Sequence, residues 1–483
     1  MNNLEPKAIF DFFSEIRQVP RPSKKEGKII EWLLATGKRL GLETKRDAAG
    51  NVLMSKPATP GKENVTPIIF QSHMDMVCEK NNDLDFDFEK DAIQAYVEDG
   101  WMKAKGTTLG ADDGIGMAIA LAILADKTIE HGPIECLFTV DEETGLTGAS
   151  ELQPGWMKGK MLLNLDDEDW GEFCIGCAGG IDTVAKYNCE FEKQIPADSI
   201  AYTVKVGGLQ GGHSGDDINK NRGNAVKLLT RILWNAYQDY DIRIADIQAG
   251  NLRNAIAREG WALVTLPKEN AKVFEQYVQQ MDGIYKKELH TSDAGVFVTC
   301  ESAKMPAKVI DEMLQIDILN ALYTCPHGVL AMSQDIADFV ETSTNLASVK
   351  LIGEEIVITT SQRSSVESRK QDAADHVACA FYSTAADEVE HSDGYPGWEP
   401  NANSQVLKLM VQAFHNLHPE EEPTVRAIHA GLECGLISEK YPELDMVSFG
   451  PTLRGVHSPD EKLEIASVQK IWDLIIEFFR ILK

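Results

Sequence analysis

The stretch that decides the fold is Pro67–Val77, PIIFQSHMDMV. Its first half, Ile68, Ile69 and Phe70 behind a proline, is short, apolar and β-rich, which predicts a buried strand. Polar residues then arrive abruptly, where such a strand would end. In open α/β sheets, ligands are bound at the carboxyl ends of strands. On extended backbone His73 and Asp75 point to the same side. Asp75 can therefore accept one imidazole N–H, fix the tautomer and leave the other ring nitrogen free for a metal. An isolated His-x-Asp is an ordinary surface pattern; this one gains meaning from four later stretches.

Working outward, residues 5–19 and 25–40 carry apolar residues at helical spacing, with Gly41 suited to a C-cap. Residues 43–56 suggest a hairpin around Gly50-Asn51, and residues 93–105 another with Asp99-Gly100 at the turn. GTTLGADDGIG follows, then GMAIALAILAD, which reads as a buried helix. Residues 134–140 (IECLFTV) form an apolar strand ending in Asp141-Glu142-Glu143, and residues 160–165 (KMLLNL) another ending in Asp166-Asp167. Strands alternating with helices predict an α/β core with a mixed, largely parallel sheet flanked by helices.

The character changes after about residue 185. Residues 200–206, 219–238, 241–247, 258–266, 268–289 and 294–301 read as strand, helix, strand, strand, helix, strand, the order of a ferredoxin-like α+β sandwich. Residues 309–385 add two or three helices and a strand near 350–360. EVEHSDGYPGWEPNANS, rich in Gly, Pro and Asn, reads as a crossing back. From Ser404 the α/β style resumes, with a helix at 404–417, the loop HAGLECG, the strand MVSFG, a loop with His457 and a final amphipathic helix at 465–482. No exact repeat or low-complexity segment stands out.

The formal net charge is 47 − 75 = −28, which argues against nucleic-acid backbones as partners. The N-terminal MNNLEPKAIFDFFSEIRQ lacks the basic-then-apolar pattern of a signal peptide, and no apolar run approaches the ~20 residues that span a bilayer. Nine cysteines fit reduced thiols in a cytoplasm; Cys174-x-x-Cys177 has no second pair and reads as structural.

His73, Asp112, Glu143, Asp166 and His457 thus stand at strand ends or in adjoining loops. Taken singly, each has a plain structural reading: a helix cap at Asp112-Asp113-Gly114, solvated acidic turns at 141–143 and 166–169, an ordinary loop histidine at 457. Together they are carboxylates and imidazoles, ligands for zinc or a similar cation. Two histidines and three carboxylates exceed the need of one tetrahedral zinc and suit two metals sharing one carboxylate, with an activated water between them. Glu142, facing away from Glu143 on extended backbone, would be free to take a proton from that water and pass it to a leaving amine.

The ordered set SHMDMV, GTTLGADDGIG, FTVDEETGLTGA, LLNLDDEDWGEFCIGCAGGID, GGHSG and GPTLRGVHSPDE resembles the co-catalytic zinc peptidases that include carnosinases, tripeptidase T and bacterial cytosolic dipeptidases. GCAGGID, GGHSG, HAGLECG and HSPDEKLEI most resemble the aminoacyl-histidine dipeptidase branch. The resemblance covers essentially the whole chain. It implies hydrolysis of unblocked dipeptides, Xaa-His and broader, with two Zn2+ per chain and Co2+ or Mn2+ as substitutes. His73, Asp112 and Asp166 would bind one metal and Asp112, Glu143 and His457 the other, with Asp112 bridging. Asp75 would orient His73, Glu142 would be the general base, and the peptide after Asp112 would be cis. Asp166 is preferred over Asp167 because it directly follows the strand. The step of 291 positions from Asp166 to His457 fits an inserted lid, so residues 1–186 and 397–483 would form the catalytic domain and residues 187–396 a lid through which a homodimer forms. From the lid, His213 would stabilise the oxyanion, and Asn254 and Arg363 would contact substrate, Arg363 through its carboxylate. Ala257 stands where the family usually has proline. Glu433 falls in a loop used near the substrate amine. An N-acyl amino-acid deacylase or carboxypeptidase on the same scaffold, and a metal-bearing binding protein without catalysis, are the competing expectations.

Overall fold

A computed structural model describes residues 4–483; residues 1–3, with which the N-terminal reading begins, lie outside the described residues. The chain divides into two compact units, one made of the chain up to Gly176, Trp398–Ala427 and Leu432–Lys483, the other of Cys177–Gly397 and Ile428–Gly431.

The first unit is built on an eight-stranded sheet. Its order is Glu43–Arg46, Val52–Lys56, Ile134–Thr139, Ile68–His73, Met161–Asn164, Asp445–Ser448, Glu172–Cys177, Thr424–Ile428. Ile68–His73 pairs in parallel with Ile134–Thr139 and Met161–Asn164, and the latter in parallel with Asp445–Ser448. Ile68–His73, Ile134–Thr139 and Met161–Asn164 are buried along their whole length, which explains why they read as continuous apolar runs rather than alternating ones. The helix Ala111–Ala125, apolar all round and buried all round, packs on Ile68–His73. The amphipathic helix Ile465–Ile481 brings Phe479 to 6.0 Å from the Phe70 ring. Local signals did as expected: Gly41 (φ +73) ends the helix Gly27–Leu40, and Asp99 and Gly100, both at positive φ, turn the hairpin Ala95–Glu98/Trp101–Ala104.

The second unit carries a nine-stranded antiparallel sheet. Ser199–Gly207, helix Ala225–Tyr240, Arg243–Gly250, Gly260–Pro267, helix Ala271–Glu288 and Phe297–Ala303 make one βαββαβ unit, whose strands lie in the order fourth, first, third, second. Gly179–Asn188, helix Glu312–Thr324, Val340–Ile352, Glu355–Ser364, helix Glu367–Tyr382 and Glu388–His391 repeat that order. The two join through their second strands, Gln248–Gly250 against Ser348–Lys350. Gly179–Asn188 is the first strand of the second repeat, so the chain crosses between units at 176/177, ahead of the expected 186/187.

Val340–Ile352 was not expected. VETSTNLASVKLI lacks the apolar pattern of a strand, yet Val340 and Thr342–Val349 are buried. Neighbours on both sides bond several of its polar groups: Thr342 Oγ1 lies 2.9 Å from Ser364 Oγ, and Asn345 Nδ2 donates to the Arg253 and Ala255 carbonyls. Among the described residues no cysteine is in a disulfide. Among the described residues no helix is long and apolar enough to cross a membrane.

Candidate functional site

In the first unit two parallel strands end level with one another, His73 being the register partner of Thr139, and the third, Met161–Asn164, ends two residues earlier, opposite Gln71. That common edge carries His73 itself, Glu142 and Glu143 three and four residues past Thr139, and Asp166 two past Asn164. Asp112 comes from the turn ahead of the helix Ala111–Ala125. Gly110 there is left-handed (φ +66), Asp112 and Asp113 are non-helical, and the peptide between them is cis. His457 comes from a loop and is itself left-handed (φ +60).

These side chains converge as two groups that share one carboxylate. His73 Nε2 lies 3.0 Å from Asp112 Oδ1 and 3.4 Å from Asp166 Oδ1. His457 Nε2 lies 3.1 Å from Asp112 Oδ2 and 3.0 Å from Glu143 Oε2. The two oxygens of Asp112 therefore face different histidines. In each trio, His73/Asp112/Asp166 and Asp112/Glu143/His457, one ligand atom per residue lies within 4.8 Å of the others. Asp75 sits behind: its Oδ1 is 3.3 Å from His73 Nδ1 and accepts the Glu142 N–H at 3.0 Å, and its Oδ2 accepts from Ser23 Oγ at 2.7 Å and from the Glu143 N–H at 3.3 Å.

The electrostatics describe a centre with an excess of negative charge. Among the described residues no lysine or arginine lies within 4 Å of the Asp112, Glu143 or Asp166 carboxylates, whose only ionic partners are the two imidazoles. His457, bonded to Asp112 and Glu143, is raised to about 11. Burial, followed by neighbouring carboxylates, lifts Asp166 to about 7. Burial likewise holds Glu142 well above the usual carboxylate range. The buried Glu143 Oε1 has no hydrogen-bond partner. Oxygen and imidazole donors in surplus, with an orphaned carboxylate oxygen among them, fit divalent cations.

Two expectations need correcting. Glu142 does not alternate with Glu143 on extended backbone: Asp141 is left-handed (φ +52), and a short helix, Glu142–Gly145, starts directly after it. Glu433 does not line a surface. It is 1% exposed, and its Oε2 accepts from Gln71 Nε2 and Thr139 Oγ1, each at 2.7 Å. Burial raises this carboxyl to about 8. Its other oxygen, Oε1, is buried without a hydrogen-bond partner.

The second unit holds the remaining candidates. His213 follows Gly211 and Gly212, both at positive φ; its Nδ1 faces the Gly215 and Asp216 N–H groups and the Asp216 carboxylate, and among the described residues Nε2 is unengaged. Asn254 is exposed, and its carbonyl accepts the Ser214 N–H at 2.8 Å. Arg363 is 8% exposed; its Nη1 donates to Tyr395 Oη at 3.1 Å, its Nε has no partner, and among the described residues no carboxylate lies within 4 Å of it. A buried guanidinium without a counter-ion suits an anionic ligand. Across the strand pair stands Ser343, 2.7 Å from His429 Nε2. Burial, then the Arg363 charge, lowers that imidazole to about 3.

Sequence reasoning passed over Arg21, Asp113, Tyr395, His429 and Glu461. Asp113 is buried behind His73, accepting its N–H at 3.3 Å. Glu461 had a signal, an acid four residues after His457, but its partners lie hundreds of residues away.

Residues 69–480 match the model of peptidase family M20/M25/M40. The chain is 40% identical to the cytosol non-specific dipeptidase of Escherichia coli, over 99% of this chain and 98% of that one. It superposes on the crystal structure of the aminoacylhistidine dipeptidase from Vibrio alginolyticus with a TM-score of 0.95 at 40% identity, over 100% and 98% of the two chains. Aminopeptidase PepT from Bacillus cereus shares the fold, with a TM-score of 0.62 at 18% identity over 99% and 98%. The chain belongs to peptidase family M20/M25/M40.

Proposed function

We propose that this chain is a metal-dependent dipeptidase acting on unblocked dipeptides. The observation that carries the reading is the pair of ligand trios meeting at Asp112. Both relatives at 40% identity are named dipeptidases, which favours this activity over a deacylase or carboxypeptidase. The name of the Escherichia coli relative supports a cytosolic setting, and the carboxylate and imidazole donors suit zinc, or cobalt or manganese in its place, as the cation.

His73, Asp112 and Asp166 would hold one cation and Asp112, Glu143 and His457 the other. Bound there, two divalent cations supply Lewis-acid polarisation of the scissile carbonyl and an acidified water. Glu142, a buried carboxyl at the same strand edge and held above its ordinary range, takes the proton from water and returns it to the leaving amine. Asp75 orients His73 through Nδ1 and, by accepting the Glu142 and Glu143 N–H groups, fixes the segment that carries the base. His213 offers its unengaged ring nitrogen to the oxyanion. Arg363 takes the substrate carboxylate, and Asn254 contacts the substrate backbone. A homodimer through the second unit is supported by Gly328–Met332, which among the described residues pairs only with Val340–Ile352 and exposes Leu330 and Met332.

The test is hydrolysis of a panel of free dipeptides by purified protein, with and without chelator, beside N-acetylated amino acids. Chelator-sensitive cleavage of the free dipeptides supports the reading. Faster cleavage of the acetylated compounds would replace it with a deacylase.

A further inference from the structure

Of the proposed ligands, His457 is the one the fold leaves exposed, at 52% of its side chain. Its backbone is left-handed, and the loop around it is held by local bonds: Ser458 Oγ donates to the Gly455 carbonyl at 2.7 Å and accepts the Asp460 N–H at 3.2 Å. Such a loop does not by itself hold an imidazole where a cation needs it. Four residues on, Glu461 is 2% exposed. Its Oε2 accepts the N–H groups of Leu109 and Gly110 at 2.7 and 3.0 Å, and its Oε1 those of Ala111 and Asp112 at 2.7 and 3.4 Å. The carboxylate thus grips four successive backbone donors about 350 residues away in sequence. The last of them belongs to Asp112, the residue both ligand trios share.

Arg21 closes the same turn from the other side. Its guanidinium, 2% exposed, donates to the Gly110 carbonyl and to those of Met74 and Asp75. Gly110 is therefore held by Glu461 at its N–H and by Arg21 at its carbonyl. A Cβ there would stand 2.6 Å from Arg21 Nη2, on a backbone at φ +66 that disfavours side chains.

We propose that Glu461 is a positioning residue that sets the distance between His457 and Asp112, and so builds the Asp112/Glu143/His457 cation position before a cation arrives. The proposal rests on the metal-dependent reading above. It differs from a general structural role because it predicts an asymmetric effect. Glu461 is joined to His457 by four residues of chain, whereas His73 and Asp166 are held by the sheet.

The test is titration of Zn2+ into the full-length chain stripped with chelator, followed by calorimetry. Wild type should take two cations. Glu461→Gln offers one acceptor oxygen where two serve, and leaves half the N–H groups facing an amide. It should weaken one cation about 10–100-fold, as loss of a group orienting a ligand does, and leave the other within about twofold, the scatter of independent sites. Glu461→Asp, one methylene short, should behave alike. His457→Ala should keep one cation, whose affinity the added Glu461→Gln leaves within about twofold. Equal weakening of both cations, no weakening, or the same loss in the His457→Ala background would overturn the proposal. So would failure of both Glu461 variants to fold, which would make the residue structural. If wild type took no cation, the metal centre itself would be the reading lost.

Discussion

Replacing Asp75 by Asn tests how the ligand His73 and the base Glu142 are held together. The side chains have the same shape, but the amide keeps one acceptor oxygen. Placed at Oδ1, that oxygen keeps the Glu142 N–H and the contact with His73 Nδ1, now without charge. The amide nitrogen then occupies the Oδ2 position, 2.7 Å from Ser23 Oγ and 3.3 Å from the Glu143 N. The Ser23 hydroxyl can turn to accept; the Glu143 N–H cannot. One buried donor is left without a partner, at about 1–3 kcal/mol, and two charged bonds become neutral ones at about 1 kcal/mol each. Urea unfolding of chelator-stripped protein should therefore show a loss of about 3–5 kcal/mol. Because His73 loses its ionised partner, Zn2+ affinity should fall by about 10–100-fold. Dipeptide hydrolysis should fall beyond what the lost cation explains, since the Glu142 segment loosens too. Wild-type unfolding with wild-type Zn2+ affinity in Asp75→Asn would refute the reasoning.

Glu142→Ala should keep both cations by elemental analysis yet lose about 10²–10⁴-fold in kcat, the usual loss for a general base; near wild-type turnover would remove Glu142 from that role. Arg363→Ala should lose activity on free dipeptides by an amount on the order of 2–5 kcal/mol, as for half of a buried charged pair. The same variant should barely distinguish free from C-amidated substrates, and retained discrimination would place the carboxylate contact elsewhere. His327 gives a pH prediction for the second unit. Its Nδ1 accepts the Leu346 N–H at 3.2 Å, and burial, then Lys227, lowers it to about 4. The folded value lies below the unfolded one, so its stabilisation is complete above about pH 6.5 and is lost as pH falls toward 4, by at most about 3 kcal/mol. His327→Gln should flatten the pH dependence of unfolding between those limits, and an unchanged slope would exclude this histidine as its source.

What the sequence by itself determined is what local pattern encodes. Ile68–Phe70, the run at 134–140 and the run at 160–165 are apolar because central parallel strands are buried on both faces, so their ends, and the acids and histidine just past them, were legible. Asp99-Gly100 and Gly41 announced their turn and cap through backbone conformations that few residues adopt. The first βαββαβ unit was readable because its helices and strands alternate in periodicity. The tertiary structure alone decided the rest. Val340–Ile352 is a strand because neighbours on both sides bond its Thr342, Ser343 and Asn345 side chains, and no local pattern records those partners. Glu433, an acid in a glycine-flanked loop, looked available to a ligand, but the hydrogen bonds from Gln71 and Thr139 that account for its burial come from strands some 300 residues earlier. Glu142 entered a helix because Asp141 turns left-handed under its bonds to Thr144 and Thr147. Glu461 and Arg21 hold the turn that carries Asp112 through backbone N–H and carbonyl groups. Backbone groups are the same at every residue, so a clamp made on them leaves no mark in the sequence that it holds.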